Sequence, residues 1–350
     1  MGDVIARPLL FPAPDPEKHA QEIENEIVWD TDDYDGGAFA RRPFLWLTYP
    51  ESPVALVYFH GNGVDLGVVA NHLRSLRKRL CANILGVEYP GYGVFQPEKV
   101  ADGSLCMQRG LNMVEAIDEA AVHGLKYLIH RRGFISVRVL LHGHSMGTGP
   151  ALRLAQRAQE DLGLNLGGII LQSPFSSIAQ VVTDHAGTLG SCVVPNYYDN
   201  LEALRYLCLR AREQGASDTS RSSPRRQSSL NMRLALQWTP LLIVHGEKDA
   251  VVRACHGRAL LEEARRCGHP AVEGVFLPTA THCRFEDIHE LTQPMLNFMH
   301  SHLGVSPRRT NPGDATETNC KRACLCRTEL NDSLKDLLVP PTSRSNKGGA

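Results

Sequence analysis

Gly143-His144-Ser145-Met146-Gly147 sets a serine between two flanking glycines. A serine hydroxyl is a poor nucleophile near neutral pH. It needs a base within hydrogen-bond reach and a carboxylate to orient that base. Both residue types follow in the chain: Asp249 past one late apolar run, and His282 past the next. Serine, then acid, then histidine is an order that acyl-transfer hydrolases use. Glu247 is a rival acid close to Asp249, whereas His60 and His142 precede the serine and fit no such order. His245 precedes Asp249, and His144 sits inside the serine turn, where packing is the expected role. Such chemistry also needs backbone N–H donors facing a developing oxyanion. Met146, after the serine, supplies one. His60-Gly61-Asn62-Gly63 leaves its backbone free to approach a ligand, and Asn62 is the preferred second donor.

These residues must be held by regular elements, and the pattern around them supplies such elements. Val137-Arg138-Val139-Leu140-Leu141 reads as a buried strand, and Ala151, Leu152, Leu154 and Ala155 recur at helix spacing after the turn. In so tight a strand-to-helix turn, a side chain at position 143 or 147 would strike a neighbouring element. Further strands are expected at 44–47, 54–59, 83–88, 168–172, 240–245 and 272–277. Helices are expected at about 64–80, 105–124, 254–267 and 285–303. Strands alternating with helices imply an α/β fold, a mostly parallel sheet with helices on both faces. Ser145, Asp249 and His282 would then gather at the carboxyl edge of that sheet.

Composition narrows the class. The 350 residues are 43% hydrophobic and 21% charged with a net charge of −1, so nucleic-acid binding has no electrostatic support. No apolar run approaches a bilayer span, and no signal-peptide core is visible. Ten cysteines without a framework spacing point to reduced thiols in a cytoplasmic protein. Residues 1–43 read as an N-terminal arm, 44–303 as the domain, and 304–350 as a polar tail without an apolar period. A long insertion after the sixth strand, about 176–239, is expected to roof the site as a lid. Within it, the Ser-, Arg- and Gln-rich stretch 211–229 is expected to lack structure. Phe175, Val193, Val194, Tyr197 and Tyr198 are apolar enough to line an acyl pocket or to pack the lid on the body. In the tail, Cys320, Cys324 and Cys326 lie beside basic residues without a zinc-like fourth ligand. Acylation there would give a peripheral membrane contact, and unmodified thiols are the plainer reading.

Several runs together resemble a known group. Phe59-His60-Gly61-Asn62-Gly63-Val64-Asp65-Leu66-Gly67, Tyr89-Pro90-Gly91-Tyr92-Gly93, the Ser145 turn and Ser173-Pro174-Phe175 are similar to the α/β-hydrolase-domain-17 proteins. His245-Gly246-Glu247-Lys248-Asp249, the Cys255-His256-Gly257 run after it and the Phe11-Pro12-Ala13-Pro14 arm also resemble that group. The resemblance implies the α/β-hydrolase fold and a serine hydrolase that removes S-acyl chains, chiefly palmitate, from membrane-associated proteins. It implies Ser145 as nucleophile, Asp249 as orienting acid, His282 as base, and Asn62 with Met146 as oxyanion donors, with no cofactor and no metal. Ala280-Thr281-His282-Cys283 departs from the group's Gly-His-Asn-Asp context around the base. A lipid or small-ester hydrolase such as a monoacylglycerol lipase is the alternative enzyme. A non-catalytic interaction protein with this fold is the alternative from another class. The partner expected is an S-acylated protein or acyl ester.

Overall fold

Alternation along the strands assigns the two faces of the sheet. In β3 (Ala55–Phe59), Ala55, Val57 and Phe59 join one hydrophobic core, while Leu56 and Tyr58 join the other. The same split separates Val139 and Leu141 from Leu140 in β5 (Val139–His144), and Leu241 and Ile243 from Leu242 and Val244 in β7 (Leu241–Gly246). Strands apolar on both faces belong inside a parallel sheet covered by helices on each side. The structure, a computed structural model, describes residues 20–31, 41–96, 113–191, 197–219, 238–285 and 287–305.

The remaining strands are β1 (Ile27–Asp30), β2 (Arg42–Leu47), β4 (Asn83–Val87), β6 (Gly168–Gln172) and β8 (Val272–Leu277). They form one sheet in the order β1-β2-β4-β3-β5-β6-β7-β8. β2 runs antiparallel to both β1 and β4, and the pairs from β4 to β8 are parallel. The carboxyl ends of β3, β5, β7 and β8 therefore point to one edge, where the loops bearing Asn62, Ser145, Asp249 and His282 emerge.

Among the described residues seven longer helices accompany the strands: α1 (Leu66–Leu80), α2 (Met113–Lys126), α3 (Thr148–Glu160), α4 (Ile178–Ser191), α5 (Asn200–Thr219), α6 (Ala254–Arg266) and α7 (Ile288–Leu303). Helix α1 starts because the Asp65 carboxylate accepts the Val68 N–H at 2.8 Å, an N-cap bond. It buries Leu66, Ala70, Leu73, Leu76 and Leu80, at spacings of three and four, on the face it shares with α7. Helices α2, α3, α5 and α6 contribute to the opposite core.

Two sequence expectations change, and a third lies partly outside the described residues. Residues 27–30, within the stretch read as an arm, are the edge strand β1, four residues too short to stand out as a pattern. The helix expected from about 105 begins at Met113 among the described residues, since 97–112 lie outside them. The stretch 211–229 was expected to lack structure, yet α5 runs on to Thr219. Ala211 is buried there, and Arg210 bridges Glu213 at 3.0 Å one turn on. Leu204, Leu207 and Cys208 are buried in the main core, and the helix packs between α3 and α6. Residues 220–237 and the tail from 306, with Cys320, Cys324 and Cys326, lie outside the described residues. Among the described residues no helix is long and apolar enough to cross a membrane.

Candidate active site

Steric limits build the turn around Ser145. The residue has φ 53°, a left-handed conformation that costs a side-chain-bearing residue energy and persists only where its surroundings enforce it. They do so through the two glycines. A Cβ on Gly143 would lie 2.4 Å from the Gly147 carbonyl oxygen, and one on Gly147 would lie 2.2 Å from that of Phe59. Both clashes are with backbone, so neither can be relieved by a side-chain rotation. The serine thus stands at the tip of β5, in a short 3₁₀ turn, Ser145–Gly147, that leads into α3. Thr148 Oγ1 donates to the Ser145 carbonyl at 2.6 Å, and Asn200 Nδ2 donates to Thr148 Oγ1 at 3.1 Å and to the Phe175 carbonyl at 2.9 Å. The start of α5 is in this way tied to the serine turn.

Ser145, His282 and Asp249 are brought together in one hydrogen-bonded line. His282 Nε2 lies 2.8 Å from Ser145 Oγ, and His282 Nδ1 lies 2.7 Å from Asp249 Oδ2. The other carboxylate oxygen of Asp249 accepts from the Val251 and Val252 N–H groups at 2.9 and 2.8 Å. Burial pulls the Asp249 carboxyl upward. Bonds from His245 and His282, the His282 charge and the Val252 N–H outweigh it and hold the group well below the usual carboxylate range. An ionised Asp249 accepts a hydrogen bond from His282 Nδ1–H and so keeps the proton on that nitrogen, which leaves a lone pair on Nε2 to accept the Ser145 hydroxyl proton. That is the arrangement in which a serine can attack a carbonyl carbon. Glu247, the rival acid, instead pairs with Arg258 at the surface.

The loops that carry the acid and the histidine are stitched to each other. Glu247 N–H donates to the Leu277 carbonyl at 2.8 Å and Lys248 N–H to the Ala280 carbonyl at 3.0 Å. Gly246 makes the approach feasible, since a Cβ there would lie 2.4 Å from the Ala280 oxygen. His245 braces the same loop, with Nε2 donating to the Val252 carbonyl at 2.8 Å and lying 3.4 Å from Asp249 Oδ2. The His282 carbonyl sits 3.3 Å from His144 Nε2 and 3.4 Å from Ser173 Oγ. Burial pushes the His144 imidazole down to about 4, with the neighbouring His282 adding to the effect, so at neutral pH it is an uncharged donor.

Gly61 passes directly over the serine turn. A Cβ on it would lie 3.3 Å from His144 Nδ1 and 3.5 Å from Ser145 Cβ. Asn62 follows on the exposed crest of that loop, and Met146 is buried at the first turn before α3. Beneath the loop His60 is fully buried, its Nδ1 2.9 Å from the Gly61 carbonyl and its Nε2 3.1 Å from Glu88. Leu66 N–H donates to the other oxygen of Glu88 at 3.2 Å, and the Tyr89 hydroxyl donates to the His60 carbonyl at 2.8 Å.

The acyl-pocket candidates separate. Phe175 and Tyr198 are each only 2% exposed and belong to the main core. The Tyr198 ring fills the space a Cβ on Gly149 would need, and its hydroxyl donates to Asp118 at 3.3 Å. Tyr198 thus packs the insertion onto the body, and Phe175 is a core residue just past the end of β6. Tyr197 borders a cavity of about 560 Å³ between α3 and α5, together with Arg153, Arg157, Glu160, Glu202 and Arg205. Val193 and Val194 lie outside the described residues. Sequence reasoning missed the bracing by His245, Ser173, Thr148 and Asn200. Only His245, four positions before the acid at a strand end, carried a readable signal.

The chain is similar to α/β hydrolase domain-containing protein 17C of Xenopus laevis, at 28% identity over 226 residues, covering 64% of this chain and 56% of the relative. It is likewise similar to human protein 17B, at 26% identity over 255 residues, covering 73% of this chain and 69% of that protein. The chain thus spans less than two thirds of the length of the Xenopus relatives it matches. Among solved structures, an esterase from Pyrococcus furiosus is similar with a TM-score of 0.50 and 15% identity, over 79% of this chain and 90% of that one. A hormone-sensitive lipase from a metagenome library is similar with a TM-score of 0.51 and 15% identity, over 83% of this chain and 99% of that one. No protein-family model matches the chain. The fold is that of the α/β hydrolases.

Proposed function

We propose that the chain is a serine hydrolase that cleaves acyl thioesters, with S-palmitoylated proteins as the substrate class. One observation carries the reading. Ser145, His282 and Asp249 form a continuous hydrogen-bonded line, at 2.8 and 2.7 Å, on a strained strand-to-helix turn. In the reaction Ser145 Oγ attacks the acyl carbonyl while its proton passes to His282 Nε2. The ionised Asp249 holds the resulting imidazolium in place. The N–H groups of Met146 and Asn62 take the negative charge that develops on the carbonyl oxygen, and the first turn of α3 points its positive end the same way. The C–S bond breaks, the thiol leaves with the proton from His282, and water then releases the acyl group from Ser145 by the same steps in reverse order.

The preference for S-acyl proteins rests on the similarity to the α/β hydrolase domain-containing 17 proteins, together with the motifs that sequence reading ties to that group. Such substrates lie at the cytosolic face of membranes, which makes a peripheral membrane encounter part of the proposal. The test compares acetyl- to palmitoyl-thioesters and a monoacylglycerol on purified protein, with fluorophosphonate labelling as the direct readout of Ser145. Each methylene enclosed adds about 0.8 kcal/mol, so efficiency should rise with chain length and then level off. A maximum at acetyl would point to a small-ester hydrolase, and faster turnover of the monoacylglycerol would favour a lipase. Absence of labelling with an intact fold would leave an interaction protein.

A further inference from the structure

A second set of donors converges beside the serine. His144, His282 and Cys283 each offer one ligating atom, and these three atoms all lie within 4.8 Å of one another. The His144 and His282 rings are 5.4 Å apart, inclined by 36°. Cys283 is an exposed residue.

Each donor is already prepared. Asp249 accepts from His282 Nδ1 at 2.7 Å, which turns the Nε2 lone pair toward Ser145 Oγ at 2.8 Å, the bond that zinc displaces. A carboxylate behind an imidazole is how proteins orient histidines that bind metal. His144 Nε2 faces the His282 carbonyl, which can only accept, so its lone pair stands on Nδ1. Two imidazole nitrogens and one thiolate, with a fourth position open, are a donor set for tetrahedral zinc. Zinc holds nitrogen at about 2.1 Å and sulfur at about 2.3 Å, which sets the donors about 3.3–3.6 Å apart. The group has to contract by about an ångström at its widest, within the reach of χ1 rotation at an exposed cysteine.

We propose that His144, His282 and Cys283 form an inhibitory binding site for Zn²⁺, which the ion closes by drawing His282 Nε2 away from Ser145. On binding, the Cys283 S–H bond breaks, its proton passes to solvent and an S–Zn bond forms, with no change of oxidation state. The Nε2 lone pair that holds zinc is the one that would accept the serine proton, so occupancy and turnover exclude each other. The binding does not depend on the hydrolase reading, whereas the inhibition rests on it.

A second cluster, Asp184, Cys255 and His256, provides an internal control. There both ring nitrogens of His256 are engaged, Nδ1 by the Ser176 N–H at 3.3 Å and Nε2 by Asp184 at 3.1 Å, as those of His282 are by Asp249 and Ser145, so the cysteine variants tell the two clusters apart. The full chain, reduced and stripped with a chelator, is titrated with Co²⁺ and then competed with Zn²⁺. The expected spectrum shows tetrahedral ligand-field bands and a thiolate-to-cobalt charge-transfer band, displaced by zinc. Cys283→Ser should lose the charge-transfer band and weaken zinc binding by about 100-fold or more, since outer-shell changes alone cost about 10–100-fold. His144→Asn should weaken it as well, and Ser145→Ala should keep both signals. Fluorophosphonate labelling should stop at saturating zinc and return with chelator, while Cys283→Ser stays labelled throughout. A charge-transfer band that survives Cys283→Ser, or that is lost with Cys255→Ser instead, overturns the proposal. Zinc bound at Cys283 without loss of labelling overturns its inhibitory half. Cobalt binding in a protein that never turns over would sink the hydrolase reading and leave the site standing.

Discussion

His60 Nε2 stands 3.1 Å from Glu88 Oε1, and neither side chain is reached by solvent. The pair fastens the loop after β3 to the loop after β4. The first of these carries Asn62, the proposed oxyanion donor, past Ser145, so its position depends on this buried contact. Replacing Glu88 by Ala strips acceptors from both His60 and the Leu66 N–H in a space without water. The expected loss is about 3–5 kcal/mol of stability, read from urea unfolding, with weaker Ser145 labelling. The double variant His60→Ala/Glu88→Ala should cost less than the sum of the single changes. Strict additivity would show that the two residues act independently.

Asp249 and Glu247 make opposite predictions. Asp249→Asn removes the carboxylate that fixes the His282 proton and should lower the rate by about 10⁴-fold, judged by the serine-protease template. Glu247→Gln removes a surface ion pair with Arg258, a contact worth about 1 kcal/mol or less, and should leave the rate within about twofold of wild type. Steady-state kinetics on a thioester decides, and a damaging Glu247→Gln beside a mild Asp249→Asn would reverse the assignment.

Asp118 gives stability a dependence on pH that is separate from the site. Burial raises its carboxyl to about 6, against the opposing charge of Arg153 and the bond from the Tyr198 hydroxyl. The unfolded chain titrates near 3.8, so between these values the folded state binds more protons than the unfolded one. The contribution is full below about pH 4 and is lost as pH rises through about 6. Its size is on the order of 3 kcal/mol. Asp118→Asn should flatten that part of the urea-midpoint profile, and an unchanged slope would assign it to other groups.

Gly147→Ala should be among the most damaging single-atom additions in the chain. The new Cβ would meet the Phe59 carbonyl oxygen at 2.2 Å, backbone against backbone. Overpacking of this kind costs about 1–3 kcal/mol or more, and here it also displaces the Met146 N–H and the serine together. Labelling of Ser145 should disappear before the fold does, followed by circular dichroism alongside the probe. Full labelling in a stable Gly147→Ala variant would show that the turn can relax.

Much of this architecture was legible because burial on both faces leaves a strong mark. The runs at 54–59, 139–141 and 241–244 are apolar throughout, and the glycines around Ser145 announce the turn. Asp249 and His282 were readable from their places after strands. Less was visible where a residue acts through distance in sequence. His60 could be recognised as unexplained by a plain turn, but its partner Glu88 lies one crossover away. Thr148 and Asn200 meet only because α5 folds back on α3. Phe175 and Tyr198 looked equally suited to a pocket or to packing, and hydrophobicity alone cannot tell a core from a binding surface. The polar stretch near 211 misled because its helix is held from one side by α3 and α6, while its own apolar period is weak.

Helix α4 has one more bearing on the site. Asp184 reaches His256 on α6 at 3.1 Å, and the neighbouring His185 donates from Nε2 to the Val251 carbonyl at 2.8 Å. The peptide plane of that carbonyl also carries the Val252 N–H, which donates to Asp249 at 2.8 Å. A tug on α4 is thus felt two residues from the acid, through a single peptide plane. A shift of this helix is also a shift in the grip on the carboxylate.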